Sequence, residues 1–196
     1  MKVLVACEFS RTVADAFEKK GHDVTSCDFL PAKKPGKHYQ GNVYDILYNK
    51  WDLLIGHPTC TRICNSGVMW LDRRNLWEDM YKACDFFRDL MNADIPKICI
   101  ENPIPHKYAL KEIGRKYDQI IQPWQFGHGE TKATCLWLAG LPPLQPTNIV
   151  DGRVARVHRM PAGPNRWRER SRTFEGIAWA MALQWGCLAD EMREAE

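Results

Sequence analysis

The sequence predicts an α/β fold with a mostly parallel sheet and helices on both faces, and three observations carry that expectation. Short apolar runs of strand length recur along the chain, and amphipathic stretches of helical spacing separate them. Two of the runs, DLLIG at 52–56 and KICIE at 97–101, show no clean inside–outside alternation. That is the signature of strands buried on both faces.

The elements follow in order. Residues 2–7 form a first strand, and residues 10–20 a helix with Val13, Ala14, Ala16 and Phe17 on its buried face. Ser10 is the expected N-cap of that helix and Gly21 its stop. Residues 23–28 are a second strand ending on Asp28, and a Lys/Pro/Gly loop then leads to a short helical turn at 44–48. The strand at 52–56 runs directly into His57-Pro58-Thr59-Cys60. One long helix is expected over 72–91, with Leu76, Met80, Ala83, Phe86, Phe87 and Leu90 turned inward. The strand at 97–101 is expected to end sharply at Asn102-Pro103. Residues 119–122 and 134–138 read as later strands, and 173–185 as a final helix with Trp179, Met181 and Trp185 in the core. The result is a Rossmann-like sheet, whose crevice lies beyond the carboxyl ends of its strands.

At 196 residues the chain is expected to form a single domain over 1–196. Its 45% hydrophobic and 26% charged residues exclude a disordered chain. No apolar run approaches the ~18 residues of a membrane span, and no export signal opens the sequence, so no membrane partner is expected. Eight cysteines without a CxxC pair read as reduced thiols of a cytoplasmic protein. His57, Cys60 and Cys64 offer three metal ligands but no fourth, so no metal site is expected. The net charge of +3 is unevenly spread: seven arginines against Asp151 and Glu169 give residues 151–173 a charge of +5, leaving −2 for the rest.

Three reactive groups fall at strand ends, namely Asp28, Cys60 and Glu101. A thiol and a carboxyl group converging on one crevice suit covalent catalysis assisted by an acid or base. The competing reading makes Cys60 another buried thiol and Glu101 a turn cap.

Longer motifs bear on that choice. The strand followed by Gly56-His57-Pro58-Thr59-Cys60 resembles the nucleophile loop of the cytosine-5 DNA methyltransferases, and Ile100-Glu101-Asn102-Pro103 resembles their Glu-Asn motif. The segment 17–24 is similar to the helix and second-strand entry that follow their cofactor loop, and 173–185 to their returning last helix. More narrowly, the whole chain resembles small, often phage-encoded members of that family. The resemblance implies methyl transfer from S-adenosyl-L-methionine to carbon 5 of cytosine in DNA, in a bacterial or phage-infected cytosol. Cys60 would add to carbon 6, Glu101 and Asn102 would hold the base, and Lys132 would stand in for the family's assisting arginines. Glu8, Phe9, Asp28, Asn42 and Pro58 would line the cofactor.

Two departures accompany the likeness. Phe9, Arg11 and Thr12 stand where the family's cofactor loop has glycines. In place of a target-recognition domain there is a short Arg-rich loop at 141–172, in which Arg153, Arg156, Arg159, Arg166, Trp167 and Arg168 are the expected nucleic-acid contacts. The missing domain leaves room for a free pyrimidine nucleotide as substrate, and the glycine-free loop for a non-catalytic binding protein of the same ancestry. The polar and aromatic segment 122–132 is expected to serve the site, and His106 and Lys107 to lie on the surface.

Overall fold

A computed structural model describes residues 1–164 and 166–187; residue 165 and residues 188–196 of the expected domain lie outside the described residues. The strands are β1 (Lys2–Ala6), β2 (Asp23–Asp28), β3 (His38–Gln40), β4 (Leu53–Gly56), β5 (Lys97–Pro103), β6 (Gln119–Ile121) and β7 (Thr134–Ala139). They form one seven-stranded sheet in the order β3-β2-β1-β4-β5-β7-β6. All neighbouring pairs from β3 to β5 are parallel, and β7 runs antiparallel to both β5 and β6.

The central strands are apolar on both sides because both sides are covered. Val3, Val5, Leu53, Ile55 and Cys99 face α1 (Thr12–Glu18) and α8 (Glu175–Gly186), packing with Val13, Phe17, Ile177, Met181 and Trp185. Their strand neighbours Leu4, Ala6, Leu54, Ile98 and Ile100 face α4 (Trp77–Met91), packing with Met80, Cys84, Phe87 and Leu90. Each large side chain buried in these two layers contributes ~1.5–3 kcal/mol, which holds the helices to the sheet.

Five local expectations are corrected. The strand expected to end at Glu101 runs on through Asn102 and Pro103, which pair with Cys135 and Thr134 of β7. The helix expected over 72–91 is two helices, α3 (Met69–Arg73) and α4, because Asn75 turns left-handed (φ 50°) between them. Its neighbour Leu76 donates its N–H back to the Leu71 carbonyl at 2.8 Å, closing α3 with a left-handed C-terminal cap. Ser10 accepts the Thr12 N–H through its Oγ at 3.3 Å but stands one residue before the N-cap of α1. Arg11 holds that position, and the Glu8 carboxylate accepts the Val13 and Ala14 N–H groups at 2.7 and 3.1 Å. His106 is buried rather than exposed: its Nδ1 accepts the Ala109 N–H at 3.0 Å and starts the unexpected helix α5 (Lys107–Ile113). Trp179 lies exposed beneath the Lys20 ammonium rather than in the core, unlike Met181 and Trp185.

Arg11 is the most unusual core residue. Its guanidinium is fully buried, donates to Ser26 Oγ and the Lys37 carbonyl, and pairs with Asp15 and Glu18. It lies flat against Gly36, where a Cβ would collide with it. One side chain thus ties α1, β2 and the loop before β3 together.

Replacing Glu8 by Ala removes the acceptor from two N–H groups at the start of α1. The expected loss is about 1–3 kcal/mol of stability, read as a lower urea midpoint at unchanged slope.

Candidate active site

The chain leaves β1 toward β2 and β3 on one side and returns to β4 and β5 on the other. No crossover helix covers the carboxyl ends where the order reverses. A cleft of about 1170 Å³ opens there. Its walls come from the ends of β1, β2, β4 and β5 and from the entry to β7, which reaches this end of the sheet because β7 runs backwards.

The loop after β1 solves the missing-glycine problem with its backbone. Cys7 (φ 61°) and Arg11 (φ 58°) both adopt the left-handed conformation that glycine takes most easily. Each costs roughly 1–2 kcal/mol for a residue with a Cβ. Arg11 turns its side chain into the core, so Glu8, Phe9 and Ser10 are the residues that line the cleft. Glu8 is largely occupied as the cap of α1. Asp28 closes β2 at the cleft wall; burial pushes its carboxyl up, against the hydrogen bond that it accepts from the Leu30 N–H. Asn42 lines the same lobe with its Oδ1 accepting from the Tyr44 N–H, beside apolar Leu30, Val43 and Phe86.

The loop after β4 and the end of β5 form the other lobe. Cys60, Glu101, Asn102, Lys132 and Pro58 all line it, so the thiol and carboxyl share one cleft. Asn102 donates through Nδ2 to the Pro58 carbonyl at 2.8 Å and clamps the two strand ends together, while its buried Oδ1 has no protein partner. His57 Nδ1 lies 2.7 Å from Glu101 Oε2. Burial raises the Glu101 carboxyl, but His57, the Lys132 charge and the Thr134 hydroxyl outweigh it and hold the group below its usual range. Burial lowers the His57 imidazole, and its bond to Glu101 with the charges of Glu101 and Glu8 reverses this, leaving it above its ordinary value. Each partner thus favours the charged form of the other.

Cys60 and Cys64 are a second proton-sharing pair, one helical turn apart, with the Cys64 N–H bonded to the Cys60 carbonyl at 2.9 Å. The Cys60 thiol donates to Cys64, which also receives the backbone N–H groups of Ser66 and Gly67 and lies 3.1 Å from Ser66 Oγ. These donors pull Cys64 down to about 5. Cys60 is held well above a normal thiol, first by that hydrogen bond and then by burial. These contacts favour negative charge on Cys64 over Cys60. All eight cysteines are free, and among the described residues no three His, Cys, Asp or Glu side chains form a metal-holding group.

Of the contacts expected in the Arg-rich segment, Trp167 alone lines the cleft. Trp167, on α7 (Arg166–Ser171), lines the cleft and packs on Phe9 with ring centroids 6.0 Å apart. Arg153 stacks on Trp124 at 3.9 Å, Arg156 pairs with Glu130, and Arg166 donates to the Met160 carbonyl. Those three, with Arg159 and Arg168, lie outside the cleft lining. Arg170 and Arg172 line it instead, and the Arg172 carbonyl accepts from Lys132 Nζ at 3.1 Å. Segment 122–132 is partly scaffold. His128 Nε2 accepts the Gly176 N–H at the start of α8, where a Cβ would strike the Phe126 carbonyl. Sequence reasoning left Cys64 and the two arginines out of the site, and offered His57, like Arg62, only as an electrostatic aid to the Cys60 thiol or as a loop spacer. A His-Pro following a buried strand and a second cysteine four residues after the first were the available signals.

No protein-family model and no curated protein matches the chain. Solved structures do. A methyltransferase of Entamoeba histolytica, EhMeth, superposes with a TM-score of 0.51 at 14% identity, covering 76% of this chain and 57% of its own. A protein assigned as a DNA modification methyltransferase, encoded within an E. coli prophage, gives a TM-score of 0.49 at 12% identity over 77% of this chain and 52% of its own. The chain has a methyltransferase fold. It spans little more than half the length of these two structures.

The thiol pair is testable by alkylation. With a small thiol reagent at pH 6, the 60–64 pair is expected to react while ordinary thiols of pKa ~8.5 remain protonated. Cys60→Ala, which removes the thiol donor, should move the remaining reactivity of Cys64 to higher pH, as read by peptide mass spectrometry.

Proposed function

We propose that the protein transfers a methyl group from S-adenosyl-L-methionine to carbon 5 of cytosine in DNA, with Cys60 as the transient covalent nucleophile. The convergence of Cys60, Glu101, Asn102 and Lys132 on one cleft at the reversal of strand order carries this reading. The residues at hand suit the cofactor: the Asp28 carboxylate at the end of β2 matches a ribose diol, and Leu30, Val43 and Phe86 offer an apolar slot for a purine. Bound S-adenosyl-L-methionine supplies an electrophilic methyl group.

The chain's own groups account for the remaining chemistry. Cys60 becomes nucleophilic when its proton passes to Cys64, whose thiolate is already stabilised by the Ser66 and Gly67 N–H groups. The Cys60 sulfur then bonds to carbon 6, and the ring double bond's electron pair becomes available at carbon 5. Glu101 holds the ring nitrogen and amine, and Lys132 offsets the charge that develops beside it. After methylation, loss of the carbon 5 proton to water restores the double bond and expels the Cys60 thiolate.

Polymer binding is supported by aromatic and cationic groups from both faces of the sheet. Trp167, Arg170 and Arg172 line the cleft on the α8 side. Trp70 lines it on the α4 side, with the Arg74 guanidinium 4.4 Å from its ring. Such pairs stack bases and meet phosphates. The inward placement of Arg170 and Arg172 also favours a second reading, a free pyrimidine nucleotide whose phosphate they would bind.

Labelled cofactor with oligonucleotides is expected to yield 5-methylcytosine, and DNA bearing 5-fluorocytosine a covalent adduct that Cys60→Ser abolishes. Turnover on dCMP without turnover on oligonucleotides, and without steep salt dependence, would establish the second reading instead. Asp28→Asn should weaken cofactor affinity about 10-fold, equivalent to ~1.4 kcal/mol, as measured by calorimetry.

A further inference from the structure

We infer that His57 stores the proton that Glu101 delivers to the ring nitrogen of the bound base. The inference rests on the methyl-transfer reading and assigns a role to a residue that stands where the resembled family has glycine.

The geometry leaves His57 little other use. Its backbone N–H bonds to the Ala6 carbonyl at 2.9 Å, extending β4 one residue along β1, and Pro58 restricts its backbone to extended conformations. Asn102 holds the next carbonyl, so the ring is fixed from both sides. The imidazole is almost wholly buried, with Nδ1 2.7 Å from Glu101 Oε2 and Nε2 without any protein partner. Exchanging water for such a pair contributes little to stability, and leaving Nε2 unpaired costs more. As a structural element the residue is a poor choice.

As a proton store it is well placed. Thiolate addition at carbon 6 pushes electrons toward the ring nitrogen, which must gain a proton. A Glu101 held ionised has none to give. The Nδ1–H bond of His57 breaks as an O–H bond forms on Glu101 Oε2, and that O–H bond breaks in turn as the ring nitrogen takes the same proton. His57 is left as the neutral Nε2–H tautomer and Glu101 as a carboxylate. When the thiolate departs, the same transfers run in reverse. The charged groups that act on the imidazole are Glu101 and Glu8, which hold its proton, and Lys132, which opposes them.

The test compares wild type with His57→Asn, which keeps a donor toward Glu101 but carries no exchangeable charge, and with His57→Gly. Adduct formation on 5-fluorocytosine DNA and methyl transfer are followed across pH. Because the imidazole titrates above its ordinary ~6.5, the wild-type rate should be level below that midpoint and fall as pH rises through it. His57→Asn should lose that alkaline limb and be slower by about 10²–10⁴-fold at neutral pH. Added imidazole should partly rescue His57→Gly, which a merely structural residue would not allow. Thermal melts check that both variants fold, and His57→Gln replaces whichever does not. An unchanged alkaline limb in an active, folded variant overturns the proton store and leaves the methyl-transfer reading standing. A wild type that neither methylates nor forms the adduct overturns both.

Discussion

The reversal of strand order between β1 and β4 is the constraint from which the rest of this molecule follows. Parallel strands require crossovers, and right-handed crossovers place helices on the faces of the sheet. Where successive crossovers depart to opposite sides, the carboxyl ends of two adjacent strands stay uncovered. Here those ends belong to β1 and β4, and the loops that leave them carry Phe9 and Cys60 into one cleft. The ends of β2 and β5 add Asp28 and Glu101 from either side. Residues distant in the chain meet because of this topology and not through any local motif.

Burial then shapes the chemistry. In a low-dielectric cleft a lone charge is expensive, and the site answers by giving its ionisable groups partners. His57 and Glu101 neutralise one another, and Lys132 lies close enough to act on both. Cys60 and Cys64 divide one negative charge, steadied by backbone N–H groups of the following turn. Such pairs hold protons that can move without a net charge entering or leaving the pocket. Two of the three buried polar atoms without a hydrogen-bond partner among the described residues, His57 Nε2 and Asn102 Oδ1, belong to residues that line the cleft, where a ligand can supply one.

Several features were hidden from sequence reasoning for identifiable reasons. Nothing local in 134–139 distinguishes a parallel from an antiparallel strand, since both are apolar when buried, yet the reversal of β7 is what brings Lys132 and Thr134 to the site. Glycine-free residues 6–12 argued against a tight loop. They fold into one because the buried Arg11 guanidinium finds four partners that offset the strain of its backbone. The Arg-rich segment read as a uniform basic patch. Internal acceptors and an aromatic ring engage Arg153, Arg156 and Arg166, while Arg170 and Arg172 turn into the cleft.

What the amino-acid order determined by itself was the alternation of elements and the placing of Asp28, Cys60 and Glu101 at strand ends. Apolar periodicity and the backbone limits of glycine and proline act over a few residues, so they are written locally. Tertiary structure decided which strand runs backwards, which arginines face the cleft and which thiol carries the charge. It also decided that His57 and Glu101 share a proton. Those outcomes depend on distances between side chains far apart in the chain, 44 residues for His57 and Glu101, and such distances exist only once the sheet has assembled.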